Sequence, residues 1–299
     1  MKVHPLAWAA LVALCAAIVG LQMLQSREQP LGLPPGVSTN LLYVRSPQFA
    51  RRATLSFHAL AADVYWIRTV QHYGGTKLST AANKQYDVLY PLLDLTTSLD
   101  PYFDVAYKFG AVFLAEEYPS GAGRPDQAIA ILQKGLRAQP DKWQLAQELG
   151  FVYYWWLADF DAAAMWFNRA ADMTKAPDWL RPLAAVTLAE GGNRSSSRVL
   201  WTEIARSADA DWLRDQATFR LKQLDAMDGI DFIERIVQQY RARTGVFPMS
   251  WAEMIRAGFV RGVPPDPSGT PFRLDPSTGM VSLDPSSSLN PLPNREHPF

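Results

Sequence analysis

The chain has 299 residues, 48% of them hydrophobic, enough to bury a sizeable core in one elongated domain or two compact ones. Lysine plus arginine equals aspartate plus glutamate at 29 each, so no net positive field favours nucleic acid, and we predict no nucleic-acid partner. The single cysteine, Cys15, excludes an internal disulfide and a thiolate-rich zinc site. We therefore expect packing alone to hold the fold, without a cofactor.

An uncharged apolar run stands at the start of the chain. Residues 6–24 are 19 residues long, which at about 1.5 Å per residue crosses roughly 30 Å of hydrocarbon. The run exceeds the apolar core of a signal peptide and is followed by only a poor cleavage site, so an uncleaved anchor over residues 1–25 is favoured over a cleaved one. A short N-terminus before a large domain favours a cytoplasmic N-terminus and a periplasmic or other extracytoplasmic bulk.

Helical spacing dominates the middle of the chain. Prolines and glycines in residues 26–50 predict a linker, and apolar residues then recur at helical intervals over residues 51–227. One column of small and large residues repeats 35 and then 34 residues later: Ala128, Leu132, Gly135; Ala163, Phe167, Ala170; Ser197, Trp201, Ile204. Small residues allow two helices to approach closely while the large one fills the space between them, so the column predicts stacked helical hairpins.

One of these units resembles the tetratricopeptide repeat family. The family pattern L-G-x-x-Y followed by A-x-x-x-F-x-x-A is matched by Leu149, Gly150, Tyr153, Ala163, Phe167 and Ala170. The segment "FGAVF" at residues 109–113, in the first helix of the preceding unit, aligns with "LGFVY" at residues 149–153. The resemblance covers roughly residues 53–208 and implies an all-α superhelical solenoid of helix-turn-helix repeats, closed by a capping helix over residues 212–227.

The last 70 residues have a different character. Residues 228–285 combine an amphipathic helix with two candidate strands, 272–274 and 280–283, around the turn "DPSTG". This order resembles the end of the major pseudopilins of type II secretion and implies a small α+β module. Residues 286–299 are predicted to be a disordered tail.

Three Asp-Pro pairs recur every nine residues in that region, at Asp266, Asp275 and Asp284. Acidic loops in some pseudopilins bind calcium, which needs about six to eight oxygen ligands. Aspartate followed by proline is also an ordinary way to begin a turn. We favour the turn interpretation and leave calcium open.

The segment "FVYYWWLADF" holds six aromatic residues in positions 151–160. The resemblance implies that the first helix of each repeat directs fixed positions into a concave groove that binds peptides. The predicted groove residues are Tyr107, Leu114, Gln144, Gln147, Phe151, Tyr154, Trp155, Trp179 and Glu190. A contiguous set of aromatic rings on one face suggests that another surface packs against it. Three possibilities remain for that surface: a partner protein, the chain's own C-terminal module, or ordinary core packing.

The function predicted from these features is a membrane-anchored, extracytoplasmic scaffold or adaptor. Its groove would bind a segment of a partner in the assembly of a cell-envelope complex, such as a secretion, pilus-like or export system. The alternative is a constitutive structural subunit of a large membrane complex. A third is a hydrolase of envelope polymers using Glu116 and Glu117, but adjacent helical residues point about 100° apart.

Catalytic and metal motifs are absent from the sequence. It contains no phosphate loop, no nucleophile elbow and no paired ligands at metal spacing. His58 and His72 lie 14 residues apart, too far along one helix to chelate a metal together, and packing or capping roles are favoured. We therefore predict neither an enzyme nor a small-molecule substrate.

Overall fold

The computed structural model describes residue 16 and residues 47–293. The predicted anchor, apart from residue 16, and most of the predicted linker therefore lie outside the described residues. Within residues 47–293 the chain forms eleven helices and one two-stranded hairpin. No helix in this described part is both long enough and apolar enough to cross a bilayer.

In chain order the helices are α1 (Pro47–Ala53), α2 (His58–Leu78), α3 (Leu89–Leu99), α4 (Asp104–Ala115), α5 (Pro125–Ala138), α6 (Trp143–Trp156), α7 (Phe160–Ala171), α8 (Leu180–Glu190), α9 (Arg194–Ser207), α10 (Asp211–Thr244) and α11 (Trp251–Arg256). The strands are β1 (Arg273–Leu274) and β2 (Val281–Ser282).

The chain separates into two compact units, one ending at Leu99 and the other beginning at Asp100. The sequence interpretation had treated residues 51–227 as one run of repeats. In the first unit α3 packs against both α1 and α2. Its leucines supply most of the core of this unit. Thr96 and Thr97 are also buried, and their hydroxyls donate to the carbonyl oxygens of Leu92 and Leu93.

The second unit begins with three consecutive helical hairpins, α4–α5, α6–α7 and α8–α9. Each helix packs against the next in the chain, and α4 also contacts α6. The predicted column of small and large residues is buried in all three hairpins, from Ala128 in α5 to Trp201 and Ile204 in α9. The sequence prediction of helical hairpins stacked through these columns is therefore confirmed.

One helix joins the last hairpin to the C-terminal module. The sequence interpretation had placed a domain boundary at residues 227/228, but α10 runs without a break from Asp211 to Thr244. Glycine inside a helix costs only about 1 kcal/mol relative to alanine, and Met227 and Ile230, on either side of the Asp228–Gly229 pair, are buried, so packing keeps the helix intact. The helix ends at Thr244 and is capped by Gly245, whose φ of +82° suits glycine.

The C-terminal module contains the predicted hairpin in antiparallel register. Arg273 faces Ser282 and Leu274 faces Val281, so both strands fall inside the predicted ranges. Its core is shared with the second half of α10: Ile233 and Val237 of the helix pack in one cluster with Phe272 of the module. The small α+β composition of this region agrees with the sequence prediction.

The tail differs from the sequence prediction. Residues 286–293 were expected to be disordered, but Leu289 is buried against α10. The buried side chain of Gln223 donates to the carbonyl oxygens of Leu289 (2.8 Å) and Pro291 (2.7 Å). Packing of Leu289 and Leu292, a hydrogen bond from the Ser287 hydroxyl to Asp266 and the two bonds from Gln223 thus hold a segment whose local composition favours disorder. Residues 294–299 lie outside the described residues.

Candidate functional site

The turn between α6 and α7 positions the aromatic segment. After α6 ends at Trp156, Ala158 adopts a positive φ of +49°, and the amide of Asp159 donates to the Tyr153 carbonyl. The Asp159 carboxylate then caps α7 by accepting from the amide of Ala162 at 2.9 Å. This tight reversal brings Phe160 back against the last turn of α6.

Tyr154 is the centre of a small aromatic cluster. Its ring meets Trp155 edge to face at 4.9 Å and Phe160 at 5.3 Å. Its hydroxyl donates to Glu190 Oε2 at 2.7 Å, which joins the end of α6 to the end of α8. Burial, that hydrogen bond and the Glu190 charge together raise the pKa of Tyr154 to about 12. We call Tyr154, Trp155, Phe160 and Glu190 the Tyr154 cluster.

A glycine makes room for this cluster. A Cβ at Gly191 would lie 2.5 Å from Cβ of Phe160, closer than any real contact. Gly191 directly follows Glu190, so the end of α8 approaches Phe160 closely enough for Glu190 to reach Tyr154. The cluster is therefore built by three helix ends and fixed by a hydrogen bond.

Two tryptophans in this part of the unit remain exposed to solvent. Trp155 is 59% exposed, although its edge rests on Tyr154. Trp179, just before α8, is 45% exposed and meets Trp143, the first residue of α6, edge to face at 6.2 Å. We call Trp143 and Trp179 the tryptophan pair. The structure thus brings Tyr154, Trp155 and Glu190 together, whereas Trp179 contacts Trp143.

Sequence reasoning missed Trp143 and Phe160. Trp143 immediately precedes Gln144, where the counting of groove positions on this helix began. Phe160 was counted in the aromatic segment but not among the groove residues, and it is the first residue of α7. An aromatic residue directly after a helix N-cap was the available signal, because Asp159 is a favoured capping residue.

Phe151 serves mainly as packing. Its ring meets Phe167 edge to face at 5.1 Å, and it lies against a buried cluster that includes Ala163, Ala184 and Leu188. Gln144 and Gln147 on the same helix are half-buried. Of the five groove residues predicted on α6, only Trp155 has more than half of its surface in solvent.

The two predicted groove residues on α4 are placed differently from expectation. Tyr107 and Leu114 are fully buried and present no surface to a partner in this arrangement. The ring of Tyr107 lies against Gly135 of α5. The opposite face of α4 is the exposed one, and Phe109, aligned by sequence with the buried Leu149, is 54% exposed. Helix α4 is therefore rotated relative to the register counted from Phe109.

The C-terminal module occupies another surface. Its core is formed with the second half of α10, and none of the nine predicted groove residues belongs to that cluster. Phe151 and Tyr154 instead pack against residues of α7 and α8. In the described part of the chain, no residue of the module's core is therefore seated on the Tyr154 cluster.

The three Asp-Pro turns have a common geometry. In each, the aspartate Oδ1 accepts from the amide and the hydroxyl of the serine two residues later: Ser268, Ser277 and Ser286. The turn interpretation is therefore confirmed. Among residues 47–293, no group of three or more histidine, cysteine or acidic side chains could hold a metal ion.

Of the two histidines, His72 has the predicted packing role, whereas His58 bonds to the Thr54 side chain and does not cap the helix. His58 Nδ1 lies 2.7 Å from Thr54 Oγ1 at the start of α2. His72 is buried on the same helix, and burial lowers its pKa against a smaller opposing effect of Asp87. Elsewhere, burial raises the pKa of the Glu148 carboxyl, although the charge of Lys108 opposes this.

The consecutive packing of these helices is compatible with an all-α solenoid carrying a small β hairpin at its C-terminal end. No protein-family model, no curated protein and no solved structure matches the chain.

Proposed function

We propose that this protein is a membrane-anchored, extracytoplasmic scaffold of the tetratricopeptide-repeat type. Residues 6–24 anchor it in the bilayer, and the surface around the Tyr154 cluster binds a segment of a partner protein. The biological context is the assembly of a cell-envelope complex. The apolar N-terminal run, the repeat signature at Leu149 and Gly150, and the resemblance of the last residues to a pseudopilin end support this proposal.

The exposed ring of Trp155 beside the fixed ring of Tyr154 is the observation that carries the proposal. Leaving a large apolar side chain in solvent forgoes about 1.5–3 kcal/mol of burial, and an exposed ring that adjoins other aromatic rings is a favoured place for a partner to recover it. Tryptophan and tyrosine are also the residues that most often dominate the binding energy of protein interfaces. Tyr154 is held by Glu190 before any partner binds, which reduces the entropy lost on binding.

The chemistry of the surface suggests the kind of segment that fits it. Trp155 offers a flat apolar face, and the Glu190 carboxylate next to it offers hydrogen-bond acceptors. Trp179 is a second exposed ring, but it lies at the opposite end of α8, about 16 Å along the helix from Glu190. A peptide with an apolar anchor residue and a nearby hydrogen-bond donor or cation would use Trp155 and Glu190.

Site-specific crosslinking in membranes tests the proposal. A photoreactive benzoylphenylalanine replaces Trp155 in the full chain, and the same residue at Trp212 serves as the control, because Trp212 is also 59% exposed but lies on α10. We expect a crosslinked partner at position 155 that is absent at position 212. Crosslinks only within the chain, or equal capture at both positions, would contradict a partner-binding role.

Substitution of Trp155 measures its contribution to the binding free energy. Once the partner has been identified, Trp155→Ala should weaken binding of the partner by about 2 kcal/mol, roughly 30-fold, as truncation of an interface tryptophan does. Trp212→Ala should leave the affinity within about twofold of the parent. Equal affinities for the two variants would show that Trp155 contributes nothing specific.

A further inference from the structure

The junction of α1 and α2 carries an unusual combination of exposed side chains. Residues 51–60, which we call the α1–α2 corner, present Leu55 at 75%, Phe57 at 67% and Leu60 at 62% exposure. Arg51 and Arg52 at the end of α1 are also exposed. Three large apolar side chains and two cations are thus exposed within ten residues of chain.

The apolar surface continues along the first half of α2. Residues Ala62, Tyr65, Thr69 and His72 form the buried face of this helix. Leu60, Val64 and Ile67, spaced by four and three residues, lie on the opposite side and are 42–62% exposed. A helix that is apolar on both sides is normally covered on both sides. The exposed stripe therefore indicates a second apolar environment.

The backbone at the corner points to a role for the Leu55 side chain. Leu55 adopts a positive φ of 51°, a conformation that glycine or asparagine adopts more readily than leucine. Hydrogen bonds from the Leu55 amide to Arg52 and from the Phe57 amide to Thr54 hold the turn in this shape. An aliphatic side chain is thus fixed at an exposed turn where small or polar residues are favoured.

Charge identifies the environment. From residue 47 to residue 62 the sequence contains Arg51 and Arg52 but no aspartate or glutamate, and Asp63 is the first acidic residue after them. Apolar side chains flanked by arginine are the composition of segments that lie in the interface of an anionic bilayer. Each arginine near such a surface gains attraction from the lipid phosphates.

The position in the chain agrees with this environment. The corner belongs to the part of the protein nearest in sequence to the apolar run of residues 6–24. Only 22 residues of chain separate that run from Pro47. This step rests on the anchor in the proposed function, because an anchor would keep the corner within reach of the lipid headgroups.

We propose that the α1–α2 corner is a second membrane contact, in which Leu55, Phe57 and Leu60 enter the interface of an anionic phospholipid bilayer. Arg52 lies against the lipid phosphates, and so does the remainder of the Arg51 guanidinium, whose Nη1 donates to the Ser98 carbonyl at 3.2 Å. The stripe along α2 continues the contact through Val64. The first unit is then held on the membrane surface as well as tethered to it.

Spin-label depth measurements on the full chain test this proposal. In a Cys15→Ser background, a nitroxide is attached at Leu55→Cys, and a control nitroxide at Ala82→Cys, an exposed position between α2 and α3. The protein is placed in nanodiscs of phosphatidylglycerol and phosphatidylcholine. We expect the label at 55 to be relaxed more by oxygen than by a water-soluble nickel chelate, and the label at 82 to show the reverse.

Charge reversal and lipid composition separate the possible outcomes. Arg51→Glu together with Arg52→Glu, or nanodiscs of phosphatidylcholine alone, should shift the label at 55 towards the water-exposed values of position 82. A label at 55 that is already as exposed to water as that at 82 in anionic nanodiscs would overturn the proposal. A label immobile and shielded from both reagents would also overturn it, since a protein surface would then cover the corner.

The same samples distinguish this proposal from the one on which it rests. Failure of the chain to co-elute with nanodiscs would overturn the anchor and the corner together. Co-elution with a water-exposed label at 55 would overturn the corner alone. Neither result depends on the partner-binding surface at Trp155.

Discussion

Gly150 of α6 and the ring of Phe167 in α7 are in contact with no room for a methyl group between them. A Cβ at position 150 would lie 2.3 Å from Phe167 Cε1. The two residues belong to the repeat signature, so the glycine and the large ring of that signature are one packing feature. Without Gly150, Phe167 could not fill the hairpin.

Replacement of this glycine should therefore destabilise the second unit. Gly150→Ala forces Phe167 from its position, and overpacking of this kind costs about 1–3 kcal/mol. The free energy of unfolding in urea measures the effect. Gly229→Ala is the matched control, because it lies inside α10 with its nearest contact at 3.5 Å and should stabilise by about 0.5–1 kcal/mol. Equal effects at the two positions would contradict the packing explanation.

Removal of the Tyr154 hydroxyl should have a smaller effect on stability and a distinct effect on titration. Tyr154→Phe loses the hydrogen bond to Glu190, worth about 0.5–1.5 kcal/mol. The pKa of Tyr154 is raised from 10 to about 12, so the folded state keeps a proton that the unfolded state releases above pH 10. The stabilisation from this group is complete below pH 10 and is lost as the pH rises towards 12.

Ultraviolet titration of tyrosinate checks this assignment. The variant should lack a late step near pH 12 that the parent shows. Tyr102→Phe, at an exposed position, should leave that step in place. A late step that survives in Tyr154→Phe would assign it to another tyrosine.

The first unit should lose stability in mild acid. Burial lowers the pKa of His72 below its ordinary 6.5, with Asp87 opposing the shift in part. The unfolded chain therefore binds a proton before the folded one as the pH falls, and the free energy of unfolding decreases below about pH 6.5. Urea unfolding at pH 7.5 and at pH 5.5 measures this decrease.

His72→Leu removes the titrating group and should flatten the dependence between those two pH values. His58→Gln, on the same helix, keeps His72 and should retain the dependence. A dependence that persists unchanged in His72→Leu would assign the loss of stability to other groups.

Docking of the tail should depend on one glutamine. Gln223→Leu keeps the approximate volume of the side chain but removes the donor for the carbonyl oxygens of Leu289 and Pro291. An unsatisfied buried polar group costs about 1–3 kcal/mol, so the tail should detach locally. Amide hydrogen exchange at Leu289 should accelerate at least tenfold, while Gln238→Leu, at an exposed position of α10, should leave it unchanged.

The helical columns were predictable from the sequence because they depend on local periodicity. Ala163 and Phe167 lie four residues apart on one helix, and any helix places such a pair on one face. The rotation of α4 was not predictable in this way. Its register was inferred from an alignment of Phe109 with Leu149, but which face of α4 is buried depends on its neighbours α5 and α6.

The candidate site was predictable in part for the same reason. Tyr154, Trp155 and Glu190 were identified from repeat positions, and the structure brings them into one cluster. The hydrogen bond of Tyr154 to Glu190 joins residues 36 positions apart, and the contribution of Phe160 depends on a tight reversal of the chain. Such contacts follow from tertiary geometry, which periodicity alone does not specify.

The 34 residues of α10 form a rod of about 51 Å, at about 1.5 Å per residue, that two separate cores share. Near its start, Leu213 and Ala217 are packed with α8 and α9, and further along, Ile233 and Val237 are packed with the β hairpin. A force on the β hairpin would therefore be transmitted to the hairpin of α8 and α9 through continuous helical hydrogen bonds rather than through a hinge.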